Sequence, residues 1–101
     1  MEHHVYFWLK KEHQNEKDRA TFEAGLDALF EIEAIQNAIW AIPAKTAVRP
    51  VTDNSWDYAI NVQFASLDDH DVYQAHPLHD VFVADFKDWW EKVEVKDLAS
   101  S

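Results

Sequence analysis

Residues His3 to Lys10 alternate as a strand, and both faces made by that alternation are rich in apolar and aromatic groups. His4, Tyr6 and Trp8 lie on one face; His3, Val5, Phe7 and Leu9 lie on the other. Helices packed on one side of a sheet cover only one of these faces. Leaving Val5, Phe7 and Leu9 in water would cost about 1.5–3 kcal/mol each, a large share of the ~5–15 kcal/mol that holds a typical domain folded. A chain of 101 residues builds one core and has no spare layer to supply the cover. A second copy, its sheet packed face to face on the first, is the economical solution. The expected homodimer interface uses Val5, Phe7 and Leu9 together with Asn61 and Gln63, so that His4, Tyr6 and Trp8 turn toward the helices.

The remaining elements follow from periodicity and capping. Asn15, with Glu16 and Asp18 after it, reads as an N-cap, and Phe22, Leu26, Leu29 and Phe30 repeat at helical spacing, predicting a helix to about Glu33 or Gln36. Residues Ala38 to Val48 hold Ile39, Trp40 and Ile42 but also Pro43, which donates no ladder hydrogen bond, so the expectation is an edge or bulged strand. Residues 49–55 form a turn region. From Asp57 to Ala65 the alternation is clean, with Tyr58, Ile60, Val62 and Phe64 on one face. Ser66 and Asp69 then open a helix from Leu67 toward Ala75. Pro77 ends it and suits the first position of another helix, whose predicted stripe is Leu78, Phe82, Phe86, Trp89 and Trp90. Val93 and Val95 mark a last strand. The order β-α-β-β-α-β is that of a ferredoxin-like α+β domain spanning 1–101, two of whose sheets would pack into a dimeric α+β barrel.

Nineteen acidic against nine basic side chains give a formal charge of −10, which repels phosphate backbones and anionic lipid surfaces. Neither nucleic acid nor a membrane is an expected partner. There is no cysteine, which removes disulfides, thiol catalysis and Cys-based zinc sites. With no basic leader and no long apolar run at the N-terminus, a cytoplasmic location is the expectation.

The segment Tyr73-Gln74-Ala75-His76-Pro77-Leu78-His79 carries the chemistry. If a helix starts at Pro77, His79 falls in its first turn, where the positive end of the peptide dipoles disfavours an imidazolium. A neutral imidazole can accept a proton near pH 7, with Tyr73 one turn upstream as its hydrogen-bonding partner. The competing interpretation makes both residues packing groups with satisfied polar tips. His76, His79 and Asp80, or the pair His3 and His4, could touch a metal, but neither set offers a clear third ligand, so no metal and no cofactor are expected.

The opening His4-Val5-Tyr6-Phe7-Trp8-Leu9-Lys10, the strand Asp57 to Phe64, the Tyr-x-x-His-Pro-x-His run and the closing Val93-Glu94-Val95-Lys96-Asp97 resemble the stress-responsive A/B barrel (Dabb) domain across essentially the whole chain. The resemblance implies a dimeric α+β barrel. A plant branch of that family contains polyketide cyclases, whose catalytic Tyr and His fall on Tyr73 and His79 and whose pocket histidine falls on His4. A further pocket histidine of those cyclases is replaced here by Tyr58, and the bulky Tyr6 and Trp8 are expected to fill space that a long ketide chain needs.

Two functional readings follow. One is a small-ligand pocket between sheet and helices, lined by His4, Tyr6, Trp8, Tyr58, Ile60, Tyr73, His79 and Phe82, for an apolar or carbonyl-bearing molecule. In its catalytic form, a polyketide-cyclase-like enzyme, His79 removes a proton next to a carbonyl, Tyr73 orients the base or donates to the enolate, and His4 binds a second carbonyl oxygen. The other is a stress-associated homodimer whose histidines and aromatics are simply packed.

Overall fold

The computed structural model describes residues 1–100. The chain runs through β1 (Glu2–Leu9), α1 (Glu16–Leu29), β2 (Asn37–Ala41), β3 (Tyr58–Gln63), α2 (Leu67–Gln74), α3 (Pro77–Phe86) and β4 (Trp90–Leu98), with 3-10 turns at Lys11–His13 and Lys87–Trp89. The strands form one antiparallel sheet in the order β2-β3-β1-β4. This is the expected ferredoxin-like α+β arrangement, its second helical region divided at His76 and Pro77.

The two faces of β1 are assigned the opposite way from the sequence expectation. His3, Val5, Phe7 and Leu9 are the buried set, while His4, Tyr6 and Trp8 lie on the open face. Register decides this: Val5 pairs with Ile60 and Phe7 with Tyr58, and directly opposed residues of neighbouring strands share a face. The one-sided alternation of β3 therefore dictates which half of β1 enters the core. Phe7 meets Phe22 of α1 at a ring-centroid distance of 5.3 Å and Phe82 of α3 at 6.0 Å. His3 meets Tyr73 of α2 at 5.8 Å. All three helices thus pack on the Val5–Phe7–Leu9 side. Cover from a partner would fall on His4, Tyr6 and Trp8 instead.

The caps are where the residue types put them. Asn15 Oδ1 accepts from the Asp18 amide at 2.9 Å, and Ser66 Oγ accepts from the Asp69 amide at 3.1 Å. Pro77 occupies the first turn of α3, and the His76 ring caps it, Nδ1 accepting from the Leu78 amide at 3.0 Å. Helix α1 stops at Leu29, short of the predicted Glu33 or Gln36. Beyond it the bonds tighten to three-residue spacing (Glu31 N to Ala28 O, Ile32 N to Leu29 O), and this brings Ile32 into the core at 2% exposure. Strand β2 is an edge strand ending at Ala41, before Pro43. Trp89 and Trp90 also depart from the predicted helical stripe, since α3 ends at Phe86. Trp89 stacks on His13 at 4.3 Å, and Trp90 opens β4 with its ring 5.4 Å from Phe7.

Gly25, the sole glycine, lets α1 and α3 approach closely. A Cβ built there would lie 2.3 Å from Cε2 of Phe86, a buried ring of α3.

Candidate ligand cleft

Between β4, β1 and the helices α2 and α3 lies a cleft of about 260 Å³. Val5, Phe7, Ile60 and Phe82 give it an apolar floor; Val93 and Val95 of the edge strand line it and remain partly exposed. Its polar groups are His3, His70, Tyr73, Gln74, His79 and Asp97. Strand alternation aims the first and last: His3 lies two residues before Val5, and Asp97 two after Val95, on strands where His3 pairs with Asp97 and Val5 with Val95. Helical spacing places His70 and Tyr73 on one face of α2.

Tyr73 is 1% exposed, and burial alone pushes its phenol well above the ordinary value of 10.0. It is a neutral hydroxyl at any physiological pH. His79, in the first turn of α3, is half-buried; loss of hydration lowers its pKa below 6.5, opposed by the carboxylate of Asp80. The Tyr73 and His79 rings meet edge to face with centroids 5.1 Å apart. The contact is aromatic packing in place of the predicted hydrogen bond.

His3 is the buried polar residue beneath this pair. Its Nδ1 lies 2.5 Å from Asp97 Oδ1, and its ring is edge-on to Tyr73 and to His70, the latter at 5.0 Å. Desolvation is the strongest influence on its pKa and lowers it, with the Asp97 hydrogen bond acting the other way.

Of the residues anticipated from the sequence, Tyr73, His79, Ile60 and Phe82 come together in this cleft. His4, Tyr6 and Trp8 do not, because they occupy the opposite face of the sheet. His4 Nε2 engages Glu2 Oε1 at 2.9 Å, Tyr6 packs on Trp56 at 5.5 Å, and the Trp8 indole donates to Ser55 Oγ at 3.0 Å. His3 and His4 therefore point to opposite sides. Tyr58 is on the helix side, but its hydroxyl donates to Glu23 Oε2 at 2.6 Å, and Arg19 lies 5.4 Å from its ring centroid. Burial and that carboxylate raise its pKa to about 12. His3, His70, Asp97 and Trp90 were missed. Alternation already sets His3 beside Val5, and giving that face to a partner rather than to the helices is what hid it; Asp97 follows two residues after Val95 on the same face of β4.

The family model described as Stress Responsive A/B Barrel Domain matches residues 1–100. The chain belongs to this family. A comparison with curated protein sequences found no match. Among solved structures, this Dabb chain is similar to a protein of Arabidopsis thaliana at TM-score 0.79 and 20% identity, covering 99% of this chain and 94% of the other. It is also similar to a dimeric ferredoxin-like protein of unknown function from Thermobifida fusca, at TM-score 0.79, 16% identity, and coverage of 98% and 89%. A hydroxynitrile lyase from Passiflora edulis matches at TM-score 0.78 and 22% identity, covering 94% and 87%. These likenesses establish the shared fold. Among the described residues no helix is long and apolar enough to cross a membrane.

Proposed function

We propose that this Dabb domain works as a homodimer and binds a small, largely apolar, carbonyl-bearing molecule in the cleft, with Tyr73 and His79 as the groups that act on it. One observation carries the proposal: a neutral phenol and a half-buried imidazole of lowered basicity sit in edge-to-face contact in an apolar-floored cleft. Such a pair suits enolisation. The His79 imidazole takes the proton from carbon beside the carbonyl, and the Tyr73 hydroxyl donates a hydrogen bond to the oxygen that gains the charge. His4, on the other side of the sheet, has no part in this.

Support for the dimer comes from the open face. Tyr6, Trp8 and Trp56 gather there, Ile39 is 56% exposed beside them, and the buried Asn61 Oδ1 accepts no hydrogen bond among the described residues. In the segment between β2 and β3, Val48 and Val51 are almost fully exposed, as befits an arm that lies on a second copy. The Thermobifida fusca neighbour is described as dimeric.

The test uses phenylacetone, a monoketone with an aromatic tail, in deuterated buffer. The protein is expected to accelerate exchange of the protons next to the carbonyl, and His79→Ala to remove the acceleration while preserving the circular dichroism spectrum. Binding of the ketone without exchange would leave a carrier and end the enzymatic reading. Neither binding nor exchange would end both.

A further inference from the structure

We propose that His3, His70 and Asp97 form a site for a divalent transition metal, Zn²⁺ above all. One imidazole nitrogen each from His3 and His70 and a carboxylate oxygen of Asp97 lie within 4.8 Å of one another. Three separate elements, β1, α2 and β4, bring them together, and all three side chains line the cleft. Two imidazoles and one carboxylate are a donor set suited to zinc, and three protein ligands leave the fourth tetrahedral position open.

The surroundings orient the donors. His70 Nδ1 lies 3.3 Å from Asp71 Oδ1, and its Nε2 lies 3.4 Å from the Gln74 side-chain nitrogen. A proton on Nδ1 satisfies Asp71 and leaves the lone pair on Nε2, so Nε2 is the metal-binding atom, a cation taking the place of the long contact from the Gln74 amide. His3 is fixed by burial and by edge contacts with Phe64, His70 and Tyr73. A cation entering here displaces the proton shared by His3 and Asp97. The formal charge of −10 favours cation entry.

The sequence suggested other pairs, and the structure removes them as competitors. His76 Nδ1 is used in capping α3, and His4 faces away from His3. The site stands independently of the enolisation reading: a metal can bind whether or not Tyr73 and His79 turn over a ketone.

The decisive experiment titrates the tag-free chain with Co²⁺, a spectroscopic substitute for zinc. The expected result is one Co²⁺ per chain, with visible ligand-field bands of a four-coordinate ion that Zn²⁺ abolishes by displacement. His70→Ala, on a partly exposed helix face that tolerates truncation, should weaken binding by about 100-fold or more, since even loss of an outer-shell partner costs up to about 100-fold. Asp97→Asn, nearly isosteric, should weaken it as well, whereas His76→Ala should leave stoichiometry and spectrum unchanged. Failure to bind one equivalent, or binding that survives His70→Ala, or binding that disappears with His76→Ala, would overturn the assignment. Binding of metal without ketone exchange would refute the Tyr73–His79 chemistry alone.

Discussion

Tyr58 and Tyr73 are equally buried on the same side of the sheet, yet their surroundings give them different work. The Tyr58 hydroxyl is committed to Glu23, so Tyr58→Phe should lower stability by about 1.5 kcal/mol, read as a lower melting temperature, and leave ketone binding intact. The phenol of Tyr58 is raised to about 12 from 10.0, so its unfolded form loses the proton first. Stability is then fully present below pH 10 and declines as pH climbs toward 12, and Tyr58→Phe should flatten that decline in urea titrations. His79 behaves in the opposite sense. Its pKa lies below 6.5, so the basic form persists through neutrality, and proton exchange should be flat above pH 6.5 and fall only on the acid side. An exchange rate that drops already between pH 8 and 7 would assign the base to another group. Tyr73 and His79 were legible in the sequence because helix punctuation at Pro77 fixes their relation. His3 was not separable from His4 by residue type, because adjacent histidines on a strand differ only in the face they occupy.

At the scale of elements, capping and close approach determine what the helices can do for the cleft. Ser66→Ala removes the acceptor for the Asp69 amide and should cost about 1 kcal/mol, loosening the helix that carries His70 and Tyr73. Gly25→Ala sets helix propensity, worth up to about 1 kcal/mol in its favour, against a collision with the Phe86 ring. Overpacking costs about 1–3 kcal/mol, so net destabilisation is the expected outcome in chemical denaturation. The same scale shows why β3 was readable and β1 was not. Tyr58, Ile60 and Val62 alternate with Ala59, Asn61 and Gln63, and the contrast names the buried face unaided. In β1, the set Tyr6 and Trp8 is as bulky as Val5, Phe7 and Leu9, and hydrophobicity cannot choose between them. The choice belongs to pairing across strands, Val5 on Ile60, and that information resides in no single segment. The overrun of the α1 prediction has a similar cause, since Ile32 and Ile35 continue an apolar pattern through a tightened turn.

For the whole molecule, the proposed function divides two tasks between the faces of the sheet: the helix side holds the cleft for the ligand, and the open side, with its indoles and Ile39, takes a second copy. Sedimentation equilibrium should give twice the protomer mass at micromolar concentration, and Trp8→Glu should shift the protein toward single chains without affecting the far-ultraviolet circular dichroism spectrum. The most direct test of this division is a titration of isotopically labelled protein with phenylacetone, followed by NMR of histidine rings and valine methyls. Saturable shifts at His3, His79, Val93 and Val95, with His4 unmoved, are the predicted result. Shifts centred on His4, or none in the helix-side cleft, would contradict it.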